Sequence, residues 1–373
     1  MKVLLIGNIS DTIILFRQHL IIKLIEKGNS VYTLTMDNNP DNFARIRKYG
    51  AIPKSYFFSR SGINPFVDII NTYKLSKEIK NIKPDIVLCF FPKPVIYGTI
   101  AAKIAGVKSI YNLLEGLGFC YTQSLGRESF KKIFLKKIQT LLYKFSLPLA
   151  NKILFLNADD YRDLILENNI RIKDFEVIGG IGVNLKNYTY MQPDISAIHF
   201  GMVSRLLIEK GVREFVEAAR FVKTIYPQVK FSIAGAVDDN PGGISREQVA
   251  TWEKEGVVKF LGQVSDINEY LSNINIFVLP SYREGIPRST QEAMAMGLPV
   301  ITTDVPGCRE TVKNEVNGLV VPPWDAEALV EAMTFFIANP EKIIAMGKQS
   351  RIMAEEKFDE NEATSKLLRV FFN

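Results

Sequence analysis

With 373 residues, 47% hydrophobic and 23% charged, the chain can build two globular cores and is too apolar to be disordered. Its 46 basic and 40 acidic residues give +6. That falls short of a dedicated nucleic-acid binder and leaves room for a phosphorylated ligand or an anionic surface. Three scattered cysteines and two histidines argue against a disulfide scaffold, a zinc site and a histidine-based metal centre.

Met1 leads directly into the apolar run Val3–Ile6, without the basic start and long apolar stretch of a signal peptide. No apolar run reaches the ~18 residues of a spanning helix. The expectation is a cytoplasmic protein whose membrane contact is at most peripheral, on the inner face.

In chain order, Val3–Ile6 reads as a strand, Phe16–Lys27 as a helix closed by Gly28, and Val31–Thr35 as a second strand. Strands Ile86–Phe90 and Ser109–Leu113 follow, with a helix from Val95 to Ala105 between them; Lys152–Leu156 and Glu176–Ile178 complete the set. Gly179–Pro193 reads as an interdomain linker. A second alternation has strands at Ala197–Val203, Lys230–Ala234, Val257–Phe260, Ile276–Leu279 and Val300–Thr303. Its helices are Gly211–Thr224, Asp266–Leu271 and Arg288–Met296. A helix over Asn361–Phe372 ends the chain. The expected fold is α/β, two facing, doubly wound Rossmann-like domains (1–180 and 181–360) with a cleft between them and residues 361–373 crossing back to the first.

Open α/β sheets bind ligands beyond the carboxyl ends of their strands, so functional residues are sought there. After Leu279, the stretch Ser281-Tyr-Arg-Glu-Gly-Ile-Pro-Arg-Ser leads into a helix. The amides of Arg288, Ser289 and Thr290 at its start, with Gly285, Ile286 and Pro287 before them, form a site for a diphosphate. Glu284 and Glu292 have seven residues between them. One carboxylate can meet a sugar and the other a ribose diol; equally, both can be helix-start acids favoured by the dipole. Arg205 and Lys210 follow the strand ending at Val203, where two cations can neutralise a departing diphosphate or simply sit in solvent.

In order, these pieces resemble the family 4 glycosyltransferases of GT-B fold, over essentially the whole chain. Glu284 and Glu292 match that family's E-x7-E signature, and Arg205 and Lys210 its R-x4-K signature. Leu261-Gly-Gln-Val-Ser-Asp looks like its base-binding loop, with Val264 and Asp266 near the base. The resemblance implies a nucleoside-diphosphate-sugar donor, retained anomeric configuration and no metal or other cofactor; no DxD motif stands at a strand end. Ribose falls to Glu292, the donor sugar's hydroxyls to Glu284, and the diphosphate to Arg205 and Lys210, with backbone approach from Gly7.

Many relatives carry a catalytic histidine near Glu115, which here is a catalytic candidate or a structural carboxylate. The pieces Ser59-Arg-Ser-Gly-Ile-Asn-Pro-Phe and Glu115-Gly-Leu-Gly are similar to bacterial lipid-linked N-acetylgalactosaminyltransferases, which implies UDP as the carrier and a polyprenyl-diphosphate-linked acceptor.

Between Arg127 and Phe145, Phe130, Ile133, Phe134, Ile138, Leu141, Leu142 and Phe145 recur at helical spacing, and Lys131, Lys132, Lys136, Lys137 and Lys144 occupy the remaining face. Such a helix can lie on an anionic bilayer or pack against a core with its lysines solvated.

A nicotinamide dehydrogenase would need GxGxxG after the first strand, where Gly7-Asn-Ile-Ser-Asp-Thr stands. A UDP-sugar 2-epimerase of the same architecture would need no acceptor, and a non-catalytic sugar-binding module would have little use for paired cations at the diphosphate.

Overall fold

The computed structural model describes residues 1–58, 65–238 and 242–372; most of the stretch beginning at Ser59 lies outside them. The chain forms two compact units. Residues 1–120, 129–181 and the segment from 361 make the first, and residues 121–128 and 182–360 the second.

In the first unit the elements run β1 (Lys2–Ile6), α1 (Ser10–Glu26), β2 (Ser30–Thr35), α2 (Pro40–Lys48), β3 (Ile52–Ser55), α3 (Pro65–Ile82) and β4 (Ile86–Phe90). A π-helical turn (Pro94–Gly98), α4 (Thr99–Ile104), β5 (Ser109–Leu114), α5 (Phe130–Ser146), β6 (Lys152–Phe155), α6 (Ala158–Tyr161) and β7 (Phe175–Val177) follow. The strands make one parallel sheet of order β3-β2-β1-β4-β5-β6-β7. β4 is buried at every position, as an apolar run covered on both faces must be.

The second unit continues with β8 (His199–Val203), α7 (Val212–Ile225), β9 (Lys230–Ala234), α8 (Arg246–Glu255), β10 (Lys259–Phe260), α9 (Ile267–Ser272), β11 (Ile276–Leu279) and α10 (Arg288–Ala295). Then come β12 (Val300–Thr303), β13 (Gly318–Val321), α11 (Ala326–Ala338) and α12 (Pro340–Lys357). Its sheet, also parallel, has the order β10-β9-β8-β11-β12-β13. α13 (Glu360–Phe372) ends the chain. It rests on the first unit, where Phe371 meets the Tyr111 ring at 5.3 Å and Lys366 Nζ donates to the Ile178 carbonyl.

Sequence reading named neither β3 nor β13, both four-residue strands, nor α2, α3, α8, α11 and α12. The boundary between the two units, at 181/182, falls inside the expected linker, whose later part is bound to the second unit. Gly182 N donates to Gln291 Oε1 at 3.1 Å, Val183 N to Phe358 O at 2.8 Å and Met191 N to Met296 O at 3.0 Å. From Gly182 on, this backbone lies along the second unit.

Candidate active site

The second sheet reverses its winding between β8 and β11, the switch point at which such sheets open a crevice. Arg205 and Lys210 follow β8, while Glu284 and Glu292 follow β11. Two close backbone approaches build the place. Gly211 takes φ +71° over Pro280, and Gly307 takes φ +82° over the carbonyl of Glu284; a Cβ at either would overlap backbone. Glu284 N donates to Pro306 O at 2.9 Å.

Lys210 Nζ stands 2.5 Å from Glu284 Oε1, and both side chains are largely buried. Ser281 Oγ donates to the same oxygen at 2.8 Å. Thus Lys210 and Glu284, separate candidates in the sequence, form one unit. Arg205 is more open and its Nη1 meets Asp238 Oδ2 at 2.6 Å. Glu292 accepts from Arg288 Nε at 2.8 Å and from the Tyr188 hydroxyl, whose pKa is raised first by burial and then by that carboxylate.

At the start of α10, Pro287 supplies no capping side chain, and the first amides carry the dipole's positive end. Gly285, Ile286 and Pro287 are buried and Ser289 is half-buried. Gly235 N bonds Gly262 O at 2.7 Å, tying the loop with half-buried Val264 to the end of β9. Asp266 caps α9 by accepting from Glu269 N at 3.1 Å.

In the first unit, Glu115 has a partner no motif announced. Its Oε1 lies 2.6 Å from Arg17 Nη2, and Arg17 is 1% exposed. The guanidinium also sits over the Phe90 ring at 4.4 Å. Gly7 N donates to Leu34 O and Gly7 O accepts from the Tyr56 hydroxyl. Both backbone polar groups of Gly7 are thus bonded within its own unit.

Residues 196–353 match the family described as glycosyl transferases group 1, and residues 2–157 match glycosyl transferase 4-like. Over 100% of its length the chain is 30% identical to the N,N'-diacetylbacillosaminyl-diphospho-undecaprenol alpha-1,3-N-acetylgalactosaminyltransferase of Campylobacter jejuni, covering 98% of that protein. The chain belongs to the group 1 glycosyltransferases of family 4. This glycosyltransferase is also 28% identical to the UDP-Gal:alpha-D-GlcNAc-diphosphoundecaprenol alpha-1,3-galactosyltransferase of Escherichia coli, over 73% of the chain and 70% of that protein. Among solved structures, Anabaena HepE in complex with UDP and glucose superposes with a TM-score of 0.78 at 17% identity, covering 100% of this chain and 99% of that one. That likeness establishes the GT-B fold.

Tyr188, Ser281 and Asp238, which sequence reading missed, contact the candidate residues Glu292, Glu284 and Arg205. Their only signal was position: Ser281 just after a strand, Tyr188 in the supposed linker. Among the described residues, no cluster of three His, Cys, Asp or Glu side chains could hold a metal ion. His199 is engaged at both ring nitrogens, by Asn273 O and Ser232 Oγ, each at 2.8 Å.

Buried Cys308 lies close enough to feel Glu284; burial chiefly, and that carboxylate next, push its thiol up to about 12. Burial pushes Cys89 to about 12 as well, whereas Cys120 is half-buried. Raised pKa values leave almost no thiolate at pH 8. A thiol reagent at that pH should label one cysteine of the native enzyme, Cys120, and all three after unfolding. Rapid labelling of Cys308 in the native state would contradict this packing.

The basic helix is α5, capped by Ser129 at its start, and much of its apolar face is turned outward, with Ile138 and Leu142 half-buried. Lys132, Thr140, Tyr143 and Ser146 are buried, and Lys132 Nζ lies 5.3 Å from the Phe119 ring. Phe130, Ile133, Phe134, Leu141 and Phe145 are exposed, Phe130 at 93%. The lysine face is divided accordingly: Lys131, Lys137 and Lys144 are exposed, and Lys136 is half-buried. Among the described residues no helix is long and apolar enough to cross a membrane.

Proposed function

We propose that this enzyme moves a hexose or N-acetylhexosamine from a UDP-sugar to a growing, polyprenyl-diphosphate-linked bacterial surface glycan, with retention of configuration. The first unit takes the acceptor and the second the donor. The observation that carries this is the Lys210–Glu284 contact at the switch point, beside the uncapped start of α10. Lys210, Arg205 and the amides around Gly285, Ile286, Pro287, Arg288 and Ser289 receive the diphosphate and stabilise its departure. Glu284, whose Oε1 is held by Lys210 and Ser281, offers its other oxygen to a donor-sugar hydroxyl. Glu292 accepts from the ribose diol, and Val264 with the loop ending at Asp266 lies along the base.

The lipid-linked acceptor follows the names of the Campylobacter and Escherichia relatives. It also fits the outward apolar face of α5, through which the enzyme rests peripherally on the inner face of the cytoplasmic membrane. Arg17 pairs with one oxygen of Glu115, which we read as a structural carboxylate and not as a catalytic group.

The positive charge here comes from side chains and helix amides, so transfer should proceed in excess EDTA. Purified enzyme is incubated with a panel of UDP- and GDP-sugars, with and without a lipid-diphosphate-linked sugar. Release of UDP together with an extended lipid product, undiminished by EDTA, is the expected result. A strict Mg²⁺ or Mn²⁺ requirement, or an isomerised UDP-sugar formed without acceptor, would sink the proposal.

A further inference from the structure

The order of the first sheet settles which face its helices cover. Right-handed crossovers put α1 and α2 on one face and α3, α4 and α5 on the other. Within that layer, α3 and α5 both pack on the π-helical turn Pro94–Gly98.

Like α5, the first half of α3 is inside out. Asp68, Asn71, Thr72 and Ser76 are buried, while Phe66, Val67, Ile69, Ile70 and Tyr73 are exposed, Phe66 at 80%. Polar bonds hold this orientation. The Tyr97 hydroxyl donates to Asp68 Oδ2 at 3.0 Å, and Thr72 Oγ1 donates to the Asp68 carbonyl at 2.6 Å. The result is two helices in one layer that turn large apolar side chains outward, an arrangement that water does not favour and an apolar cover would.

We infer that α3 and α5 together form a two-helix docking surface for an anionic lipid bilayer. The inference deepens the peripheral membrane contact proposed above, which engages α5 alone, and rests on it.

Charge selects the occupant. Lys74, Lys77 and Lys80 on α3 and Lys131, Lys137 and Lys144 on α5 are exposed. The acids of the two helices are Asp68, which is buried, and Glu78, which lies 3.7 Å from Lys54. A second copy of the chain would oppose lysine to lysine, whereas anionic headgroups complement them and the apolar side chains enter the acyl boundary.

The test uses the full chain and vesicles of phosphatidylglycerol and phosphatidylethanolamine, with pure phosphatidylcholine as the neutral comparison. Combined Phe66→Ser, Ile69→Ser and Ile70→Ser should lower partitioning onto the anionic vesicles by about tenfold or more, with circular dichroism and transfer to a short water-soluble acceptor unchanged. As a second reporter that keeps the surface apolar, Ile70→Trp should show a blue-shifted emission on adding anionic vesicles.

Loss of binding on combined Lys131→Glu, Lys137→Glu and Lys144→Glu, with the α3 serine variant still bound and the emission of the Ile70→Trp variant unshifted, would overturn the α3 inference and leave the contact through α5 standing. Failure of the wild-type enzyme to bind anionic vesicles would overturn both. A dimer in light scattering that the α3 serine variant disperses would assign the surface to a second copy instead. The sugar chemistry proposed above is read separately, from the lipid product.

Discussion

Lys210→Ala should lower kcat by roughly 10²-fold or more while changing donor KM little. Negative charge on the diphosphate grows as the bond to the sugar carbon breaks, so a fixed cation there matters more in the transition state than in the bound donor. Lys210 is well placed for this, with its ammonium held 2.5 Å from Glu284 in a largely buried setting. Lys210→Arg keeps the charge and should retain part of the rate.

Glu292→Ala should fail differently. A ribose contact is made equally before and during reaction, so its loss should chiefly raise donor KM. Steady-state kinetics of the three variants separate the roles. Lys210→Ala and Glu292→Ala with the same kinetic profile, or both near wild type, would refute the assignment.

The second large effect concerns stability. Glu115→Ala should destabilise the first unit by about 3–5 kcal/mol, because it leaves the Arg17 guanidinium buried without its carboxylate. For a unit of this size that corresponds to a fall in Tm on the order of 10 °C. Replacing both partners, Arg17→Met with Glu115→Leu, removes the uncompensated charge and should recover most of the lost Tm. Turnover of the double variant near wild type would confirm that Glu115 serves the fold. A stable double variant without activity would return Glu115 to the catalytic groups.

What the amino-acid sequence determined by itself was local and repetitive. Apolar runs such as Val3–Ile6, Ile86–Phe90 and Ile276–Leu279, alternating with amphipathic stretches, read as buried parallel strands, and the structure has them at those places. Arg205, Lys210, Glu284 and Glu292 were visible because each pair follows one strand closely, Arg205 and Lys210 on the connection after β8, Glu284 before α10 and Glu292 within it, so that spacing is set by the chain.

The tertiary structure decided every pairing between distant segments. It joined Lys210 to Glu284, Arg205 to Asp238, Glu292 to Tyr188 and Glu115 to Arg17. It also tied the later part of the expected linker, with Tyr188, to the second unit. Helical periodicity showed that α5 has two faces and could not say which turns inward. That choice depends on what the inner face meets. Here Lys132, Thr140 and Tyr143 turn in, while Phe130, Phe134, Leu141 and Phe145 are left outside.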